Sequence, residues 1–330
     1  MKKNIALVAG GFTGESVISL NSTKTVYKNL DRSKYNVYQI IIDSEKWYHE
    51  DEQGESHLID KNDFSINIKG TKVTFDCAFI IIHGIPGEDG KLQGYFDMLN
   101  IPYTSCDATT SAITMNKGYT KQIVSAVPDL NIAKSVQLFS LDSYKQAEIE
   151  QNLGLPLFVK PNNGGSSIGM SKVNEWDDLD KAVQRAFAEG SEVLIEEFIS
   201  GREFTVGAYT VDGEVNVLPI TEIITTKEFF DFEAKYTAGL TNEVTPAELD
   251  NELVERIGEI IKRTYIQLNC KGMVRIDFIL KDNKDFYFIE VNTIPGQSEN
   301  SIIPQQVRAA GLTLTYFYGN LIDEALKTAK

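Results

Sequence analysis

Three oxygen-bearing side chains on two strand-like segments are the strongest chemical signal in this sequence. The segments, 273–280 and 286–292, are rich in β-branched and aromatic residues and are joined by a short polar turn. Because side chains alternate between the faces of a strand, the spacing predicts that Asp277 lies opposite Glu290, with Asn292 on the same face. Such hard oxygen ligands suit a Mg²⁺ ion carried by a nucleotide phosphate. The alternative is two unrelated surface acids on a hairpin.

A loop rich in glycine and serine, at 162–169, follows a predicted strand that ends near Lys160. The backbone N–H groups of such a loop, together with the hydroxyls of Ser166 and Ser167, can surround an anion, and Lys160 adds a positive charge. The Gly-Lys-Ser/Thr element of a Walker loop is absent from the sequence. An ordinary flexible hairpin loop remains the alternative.

Two further groups of charged residues have a functional and an ordinary interpretation. Lys117 and Lys121 lie four residues apart on one predicted helix, a spacing that by itself predicts a solvated stripe. Glu196, Glu197 and Glu203 lie on a strand–turn–strand segment. Their carboxylates suit hydrogen bonds from an adenine amino group and from ribose hydroxyls, and solvated charges on an edge strand are the alternative.

Two glycine-containing loops follow predicted strands near the start of the chain, at 10–15 and 83–90. The carboxyl ends of parallel strands line a ligand crevice, so both loops are expected to face one cleft. The first loop also resembles a degenerate dinucleotide fingerprint at Gly11 and Gly14, with Asp43 ending the second strand. An NAD-dependent enzyme is therefore a rival hypothesis.

The bulk properties exclude several classes of protein. A net charge of −15 over 330 residues argues against a nucleic-acid surface. The sequence contains no HExxH motif, which argues against zinc hydrolase chemistry. No signal peptide or apolar run of membrane-spanning length is evident, and the three cysteines are scattered, so we expect a cytoplasmic protein that binds no membrane.

The distribution of predicted elements indicates an α/β protein with three domains. Residues 1–105 alternate strands and helices, which predicts an N-terminal parallel α/β domain with a polar excursion at 44–70. Residues 106–197 are predicted to form a smaller unit that carries the glycine-serine loop. Residues 198–330 contain the carboxylate hairpin and a long helix. We expect one helix over about 109–125, and we expect the long helix to begin at Thr245 and Pro246.

Taken together, these segments resemble the D-alanine–D-alanine ligase family of the ATP-grasp superfamily. The resemblance covers nearly the whole chain in family order. It rests on Gly-Gly-Phe-Thr-Gly-Glu at 10–15, the His-Gly and Gly-Glu-Asp-Gly motifs within 83–94, Asn-Lys at 116–117, and the segments 160–169, 196–206, 231–236, 275–277 and 290–301. It implies an ATP-grasp fold whose nucleotide lies between the central and C-terminal domains.

The resemblance also implies a reaction. ATP phosphorylates the carboxylate of one D-alanine, and the amine of a second D-alanine attacks the acyl phosphate, giving the dipeptide for peptidoglycan precursors. ATP and Mg²⁺ are the implied cofactors, with Mn²⁺ as the alternative ion, and a homodimer is usual in the family. Acceptance of D-lactate or D-serine, or a nucleotide-binding relative without catalysis, remain alternatives.

The resemblance assigns roles to individual residues. Asp277, Glu290 and Asn292 are the implied metal ligands. The implied nucleotide-binding residues are Lys117, Lys160, Ser167, Glu196, Glu197 and Glu203. The implied catalytic residues are Glu15, Ser166, Tyr236, Arg275 and Gly296, and the implied substrate-binding residues are His83, Lys235 and Ser301.

Within these roles, Glu15 is expected to hold the ammonium of the first D-alanine, while Arg275 and the N–H of Gly296 stabilise the oxyanion. Tyr236 is expected to bond to Ser166 across a lid, and relatives that use D-lactate can carry phenylalanine at that tyrosine position. Phe230 and Gln297 depart from the common family residues, tyrosine and methionine respectively, and neither is among the implied metal or phosphate ligands.

Overall fold

The structure is a computed structural model that describes residues 2–164, 168–225 and 241–328. Over these residues the strands fall into three sheets, with helices packed against them. The N-terminal sheet and its helices are β1 (Lys3–Gly10), α1 (Ser16–Asn29), β2 (Tyr35–Ile42), β3 (Trp47–Glu50), β4 (Ser56–Asp60), β5 (Ser65–Ile68), β6 (Thr71–Val73), β7 (Cys77–Ile80) and α2 (Lys91–Leu99).

The N-terminal sheet has the strand order β6-β5-β4-β3-β2-β1-β7. The predicted parallel pairing is found for β1 with β2 and β7, whose central strand is buried from Ile5 onward. The polar segment at 44–70 adds antiparallel strands beside β2 and so makes the sheet mixed. Antiparallel strands can extend a parallel sheet in this way because short hairpin turns connect them without a crossover helix. The parallel strands end where the loops at 10–15 and 83–90 begin.

The central elements are α3 (Ala108–Met115), α4 (Lys117–Val124), β8 (Leu130–Asn131), β9 (Ser135–Leu138), α5 (Gln146–Asn152), β10 (Leu157–Pro161), β11 (Ser171–Val173), α6 (Leu179–Glu189) and β12 (Val193–Glu197). Four of these strands form an antiparallel sheet in the order β11-β10-β12-β9. The apolar face of α6 covers it, with Leu179, Val183 and Ala186 fully buried. The strand β10 thereby carries Lys160 to the start of the glycine-serine loop.

The helix expected over 109–125 is interrupted at Asn116, and this prediction is wrong in that respect. Asn116 has an extended backbone, with φ −93° and ψ 103°. Its side chain accepts a hydrogen bond from the N–H of Tyr119 at 3.0 Å, which caps the start of α4. The break lets α4 change direction, so that Lys117 and Lys121 face the central sheet.

The C-terminal elements are β13 (Arg202–Val211), β14 (Glu214–Val217), β15 (Thr221–Thr225), β16 (Thr241–Val244), α7 (Asn251–Gln267), β17 (Met273–Lys281), β18 (Asp285–Asn292), α8 (Ile302–Ala309) and α9 (Leu314–Thr328). Their sheet runs β16-β15-β13-β17-β18-β8, with β14 paired to β13. Ile257, Ile260 and Ile261 of α7 are buried in the core beneath this sheet. The helix therefore packs as its apolar spacing predicts.

The long helix α7 does not begin at Thr245 and Pro246, so that prediction is wrong. It begins at Asn251, after Asp250 accepts a hydrogen bond from the N–H of Leu253 at 2.8 Å. The preceding residues are held along the sheet, where the N–H of Ala247 donates to the carbonyl of Ile220 at 2.8 Å. Because that backbone bond is already satisfied by the sheet, the helix starts at the next good capping residue.

The helix α9 packs between the N-terminal and C-terminal sheets. Tyr318 lies edge-on to Phe79 of β7, with ring centroids 5.7 Å apart. Its neighbour Phe317 lies edge-on to Tyr209 of β13 at 4.9 Å. The rings of Phe317 and Tyr318 are both fully buried. This apolar contact joins the N-terminal sheet, through β7, to the C-terminal sheet, through β13.

Among the helices formed by described residues, none combines the length and the apolar character that a membrane crossing requires.

Candidate active site

The carboxylate hairpin forms with the predicted register. Asp277 on β17 is paired with Glu290 on β18, and Arg275 is paired with Asn292. The register shifts by one residue immediately after Asp277, so that Phe278 pairs with Phe288. The shift allows polar side chains to face the cleft while both phenylalanines remain in the core.

Asp277 is the most heavily bonded acid of this hairpin. It accepts a two-pronged pair of bonds from Arg275, at 2.9 Å from Nε and 2.8 Å from a terminal nitrogen. Thr205 donates to Oδ1 at 2.5 Å, and Asn292 donates to Oδ2 through Nδ2 at 3.2 Å. Burial lowers the pKa of Arg275, but Asp277 and Glu290 outweigh burial and raise it, so the guanidinium stays charged.

Lys117 connects the hairpin to the glycine-serine loop. Its Nζ lies 3.4 Å from Oε2 of Glu290 and donates to the carbonyl of Gly164 at 2.5 Å. Its side chain is only 10% exposed. One ammonium therefore lies where the glycine-serine loop and the carboxylate hairpin approach each other.

The second lysine of α4 is buried, so the solvated stripe predicted from the spacing of Lys117 and Lys121 is wrong. The side chain of Lys121 is 2% exposed and its Nζ contacts Oε2 of Glu196. The other oxygen of Glu196, Oε1, lies 2.5 Å from Nζ of Lys160. The sequence spacing puts Lys117 and Lys121 on one helix face but gives no sign of the partner of Lys121, because Glu196 lies in a strand far along the chain.

A cleft of about 990 Å³ lies between the central sheet and the C-terminal sheet. Several residues that the sequence predicts to bind the nucleotide line it, namely Lys117, Lys160, Glu196, Glu197 and Glu203, together with Glu290 of the carboxylate hairpin. Glu197 accepts a hydrogen bond from the N–H of Lys134 at 2.9 Å. Apolar residues such as Phe158, Ile199 and Phe288 form the remaining wall. A cleft with an apolar wall, carboxylates and lysines suits a base with a phosphate chain.

A second cleft, of about 400 Å³, adjoins the first. It is lined by Glu15 and Glu88 from the N-terminal loops and by Asn292 from the hairpin. Lys117, Gly164 and Glu290 line both clefts. The two clefts therefore meet at these three residues.

Glu15 lies against a glycine whose lack of a side chain makes room for it. A Cβ on Gly84, which has φ +68°, would lie 2.6 Å from Oε2 of Glu15. Glu15 ends the loop before α1, and its side chain accepts no capping hydrogen bond from that helix. The residue lines the second cleft.

Glu88 is a residue of the second cleft that sequence reasoning did not single out, although it belongs to the Gly-Glu-Asp-Gly motif. Its carboxylate accepts hydrogen bonds from the N–H groups of Gly84 at 2.7 Å and Ile294 at 3.2 Å. Burial raises the pKa of Glu88 to about 7; the Gly84 bond opposes this, and Glu15 adds to it. Glu88 thus bridges the loop at 83–90 and the segment after β18.

His83 uses both ring nitrogens inside the protein. Nδ1 lies 2.7 Å from the carbonyl of Ile294, so it carries the proton, and Nε2 lies 3.2 Å from the hydroxyl of Ser22. That hydroxyl also accepts from the N–H of Gln297 at 3.0 Å. Burial lowers the pKa of His83 to about 4, which keeps the ring neutral. Direct substrate binding by His83 remains a prediction, whereas its bonds fix the segment 294–297.

Gly296 and Ser301 are neighbours in space. A Cβ on Gly296 would lie 3.1 Å from Oγ of Ser301. Ser301 is the residue before α8, and its hydroxyl lies 2.7 Å from that of Ser298. The predicted oxyanion donor and the predicted acceptor-binding hydroxyl therefore lie side by side.

The dinucleotide hypothesis finds no support in the geometry. Asp43 accepts hydrogen bonds from the N–H groups of Glu45 at 2.8 Å and Lys46 at 2.7 Å, so it closes the turn after β2. The N–H groups of Gly11 and Phe12 donate to the carbonyls of Ile42 and Ile85, each at 2.8 Å. Both N–H groups are thus taken by the protein's own backbone rather than left for a phosphate.

The remaining predicted site residues, Ser166, Ser167, Lys235 and Tyr236, lie outside the described residues, as does Phe230. Their roles stay predictions.

Known families and proteins resemble this chain over nearly its whole length. The model described as "D-ala D-ala ligase N-terminus" matches residues 4–106, and "D-ala D-ala ligase C-terminus" matches residues 124–323. A protein of Parabacteroides distasonis named D-alanine–D-alanine ligase is 46% identical over 100% of this chain and 99% of its own length. A protein of the same name from Flavobacterium johnsoniae is 44% identical over 98% and 99%.

Solved structures give the same result. D-alanyl-alanine synthetase A of Vibrio cholerae superposes with a TM-score of 0.88 at 28% identity, covering 99% of each chain. The D-Ala:D-Ser ligase VanG of Enterococcus faecalis superposes with a TM-score of 0.86 at 32% identity, covering 100% of each chain. This chain belongs to the D-alanine–D-alanine ligase family and has the ATP-grasp fold.

Proposed function

We propose that this protein joins two D-alanine molecules at the expense of ATP, forming the D-alanyl-D-alanine used for peptidoglycan precursors. Its curated relatives are named for this reaction. The observation that carries the proposal is the junction of the two clefts at Lys117, Gly164 and Glu290. A nucleotide with its phosphates at this junction would meet the carboxylate of an amino acid whose ammonium lies near Glu15.

The family uses ATP and a divalent metal ion. The chemistry of Asp277, Glu290 and Asn292 fits such an ion, because two carboxylates and an amide supply hard oxygen donors on one face. We assign these three residues as ligands of Mg²⁺, with Mn²⁺ as the alternative. The bound ion would neutralise phosphate charge and hold the phosphate oxygens.

The nucleotide-binding roles are assigned to charged residues that line the larger cleft. The carboxylates of Glu196, Glu197 and Glu203 provide acceptors for the adenine amino group and the ribose hydroxyls. Lys117 and Lys160 provide cations for the phosphates. Ser167, outside the described residues, is assigned to the loop over these phosphates.

In the first half-reaction, a carboxylate oxygen of the first D-alanine attacks the γ-phosphorus, and ADP leaves. Two anions must approach each other. Lys117 supplies positive charge at the junction of the two clefts, and Arg275, paired with Asp277 of the hairpin, is assigned to supply more. Glu15 holds the ammonium of this D-alanine, with His83 fixing the adjacent segment. The product is an acyl phosphate whose bridging oxygen comes from D-alanine.

In the second half-reaction, the amine of the second D-alanine attacks the acyl carbon, and inorganic phosphate leaves. The tetrahedral intermediate carries an oxyanion, for which Arg275 and the N–H of Gly296 are the assigned donors. Ser301, whose hydroxyl lies beside Gly296, is assigned to help hold the carboxylate of the second substrate. Ser166, Lys235 and Tyr236 are assigned to a lid that excludes water from the acyl phosphate.

Three broader features belong to the same proposal. The chain divides into domains at 1–105, 106–197 and 198–330, acts in the cytoplasm and forms a homodimer. Sedimentation of the purified protein tests the last of these directly.

The function is tested by ADP release in a coupled assay with ATP and Mg²⁺. We expect release with D-alanine and none above background with L-alanine or D-lactate at neutral pH, with D-alanyl-D-alanine identified by mass. D-serine as the second substrate is the other candidate, because a structural relative is named a D-Ala:D-Ser ligase. Mixed D-alanine and D-serine therefore form a separate arm, and a predominance of the mixed dipeptide would replace the proposed acceptor.

A further inference from the structure

Lys121 is a buried ammonium to which the proposed reaction gives no role. Its side chain is 2% exposed, and it lines the nucleotide cleft together with Lys160 and Glu196. The carboxylate of Glu196 has one lysine on each oxygen, Lys121 on Oε2 and Lys160 on Oε1. We refer to these three residues as the Lys121–Glu196–Lys160 cluster.

Burial and the neighbouring charges together determine the charge state of this cluster. Burial raises the pKa of Glu196, but Lys121 and Lys160 outweigh burial and lower it to about 2. Burial lowers the pKa of Lys121, and Glu196 opposes that shift. A buried carboxylate stays ionised only while a cation accompanies it. Two lysines accompany one carboxylate, so one of them can leave Glu196 while the other stays as its counter-ion.

The two lysines differ in how firmly they are held in place. Lys121 lies on α4, whose first turn is tied to the central sheet. The N–H of Gly118 donates to Asn162 at 2.8 Å, and the amide of Asn116 donates to Glu192 at 3.1 Å. Asn162 donates to the same carboxylate oxygen of Glu192 at 2.8 Å. Because this polar network is buried or nearly so, α4 cannot shift without breaking it.

Lys160, in contrast to Lys121, lies next to a loop. It is the penultimate residue of β10, next to the glycine-serine loop, and the proposed function assigns its Nζ to the phosphates. A phosphate chain in the cleft would compete with Glu196 for this ammonium. When Lys160 turns to the phosphates, Oε1 of Glu196 becomes an acceptor for a donor on the base, and Lys121 is then the cation left beside the carboxylate.

We propose that Lys121 is a positioning residue that acts through Glu196: it is the fixed counter-ion that keeps this carboxylate ionised and directed into the cleft while Lys160 engages the phosphates. The proposal rests on the proposed ATP-dependent function. The amino group of adenine donates a hydrogen bond at the position where guanine presents a carbonyl acceptor. A carboxylate held as an anion accepts from the first and repels the second, so Lys121 contributes to the preference for ATP over GTP.

Equilibrium binding of ATP and GTP to Lys121→Met tests the proposal without requiring turnover. We expect ATP affinity to fall about tenfold or more, the scale of a lost charge-assisted bond, and the preference for ATP over GTP to narrow. Lys181→Met is the matched control, because Lys181 is an exposed lysine on α6 and the charge change is the same. That control is expected to bind both nucleotides as the unmodified protein does. ATP affinity and preference unchanged in folded Lys121→Met would overturn the proposal.

A double-mutant cycle separates action through Glu196 from a general structural role. In the Glu196→Gln background, adding Lys121→Met is expected to change ATP affinity by less than about threefold, because the group through which Lys121 acts is already neutral. The double variant removes both buried charges together, so neither is left unpaired. If Lys121→Met alone does not fold, the double variant is still compared with Glu196→Gln. An equal loss of ATP affinity in both backgrounds would overturn the proposal.

The same samples distinguish this inference from the proposed function. If the unmodified protein binds ATP but makes no dipeptide from D-alanine, the proposed function fails, while the nucleotide binding data still decide the role of Lys121. If dipeptide forms and Lys121→Met binds ATP normally, the inference alone fails.

Discussion

Asp277 and Glu290 lie directly opposite each other on β17 and β18, at the last regular pair before the register shifts. Asp277 is fully engaged by Arg275, Thr205 and Asn292, whereas Glu290 lies on the wall shared by both clefts and 3.4 Å from Lys117. Two acids with such different surroundings would serve a metal ion differently. Asp277 is held in place by the protein, and Glu290 contacts the space where the substrates meet.

The first prediction concerns Glu290→Gln. Removing this charge is expected to lower kcat/KM by about a hundredfold or more, because the metal loses an anionic ligand where phosphate charge is neutralised. The fold should persist, since the amide is isosteric. Steady-state kinetics at several Mg²⁺ concentrations provides the measurement. Asp282→Asn, an exposed acid in the turn of the same hairpin, is the control. Turnover in Glu290→Gln equal to that of Asp282→Asn would remove Glu290 from the metal site.

The second prediction concerns Glu15→Gln. Loss of the carboxylate is expected to raise KM for the first D-alanine about tenfold or more while leaving ATP affinity nearly unchanged, because a charge-assisted bond to the ammonium is lost. Initial rates over two D-alanine concentration ranges separate the two sites. Glu45→Gln, an exposed acid after β2, should behave as the unmodified protein.

Thermal shifts with single ligands provide an independent check on the use of the first loop. A ligand that binds the native state raises its melting temperature. ATP and D-alanine are expected to do so, and NAD is not. Stabilisation by NAD with no response to D-alanine would restore the dinucleotide hypothesis.

The carboxylate hairpin shows how much of the site could be predicted from the sequence. The alternation of apolar and polar residues, with one short turn, fixes which side chains face each other across two neighbouring strands. The pairing of Asp277 with Glu290 therefore followed from local spacing. Gly10 lies where the backbone of Ile42 approaches closely, and Gly84 lies where the carboxylate of Glu15 does.

Features that depend on distant partners could not be predicted in this way. The spacing of Lys117 and Lys121 defines a helix face but not what packs against it. The partner of Lys121 is Glu196, 75 residues further along the chain. The break at Asn116 has a local signal, a good capping residue, but the amide network that makes use of it involves Glu192. The antiparallel strands of 44–70 are short and polar, so their alternation gave little indication of pairing.

The third prediction concerns pH and Glu88. Its pKa in the folded protein is raised to about 7 from 4.5, so the folded state holds a proton that the unfolded state has released. This contribution to stability is full below pH 4.5 and is lost as the pH rises through 7. Glu88→Gln should abolish this loss, which we expect to be on the order of 2 kcal/mol for a carboxyl that is partly exposed.

The measurement is the difference in unfolding free energy between the unmodified protein and Glu88→Gln across this pH range. The difference is needed because His83, whose pKa is lowered to about 4, contributes the opposite slope: its stabilisation is lost as the pH falls. His83 is present in both proteins and cancels. A difference that does not vary with pH would contradict the assignment of Glu88.

The fourth prediction concerns Gln297, which stands where methionine is common in the family. Its side chain is fully buried, accepts from the hydroxyl of Tyr318 at 3.0 Å and donates to the carbonyl of Pro295 at 3.0 Å. Gln297→Met leaves both partners buried without that bond, so we expect a loss of about 1–3 kcal/mol in unfolding free energy.

Combining this change with Tyr318→Phe provides the matched test. The double variant removes both ends of the hydrogen bond, so it should be less destabilised than the two single losses added together. Chemical denaturation of the four proteins gives the coupling energy. Strict additivity would show that the bond between Gln297 and Tyr318 contributes nothing to the segment that carries Gly296.

The central claim, ligation through an acyl phosphate, is tested most directly by isotope transfer. D-alanine labelled with ¹⁸O in its carboxylate is incubated with ATP, Mg²⁺ and the protein, and the inorganic phosphate is analysed by mass spectrometry. Because the carboxylate oxygen becomes the bridging oxygen and leaves with phosphate, each phosphate should carry one ¹⁸O for each dipeptide formed. Unlabelled phosphate, or AMP and pyrophosphate in place of ADP and phosphate, would contradict the account.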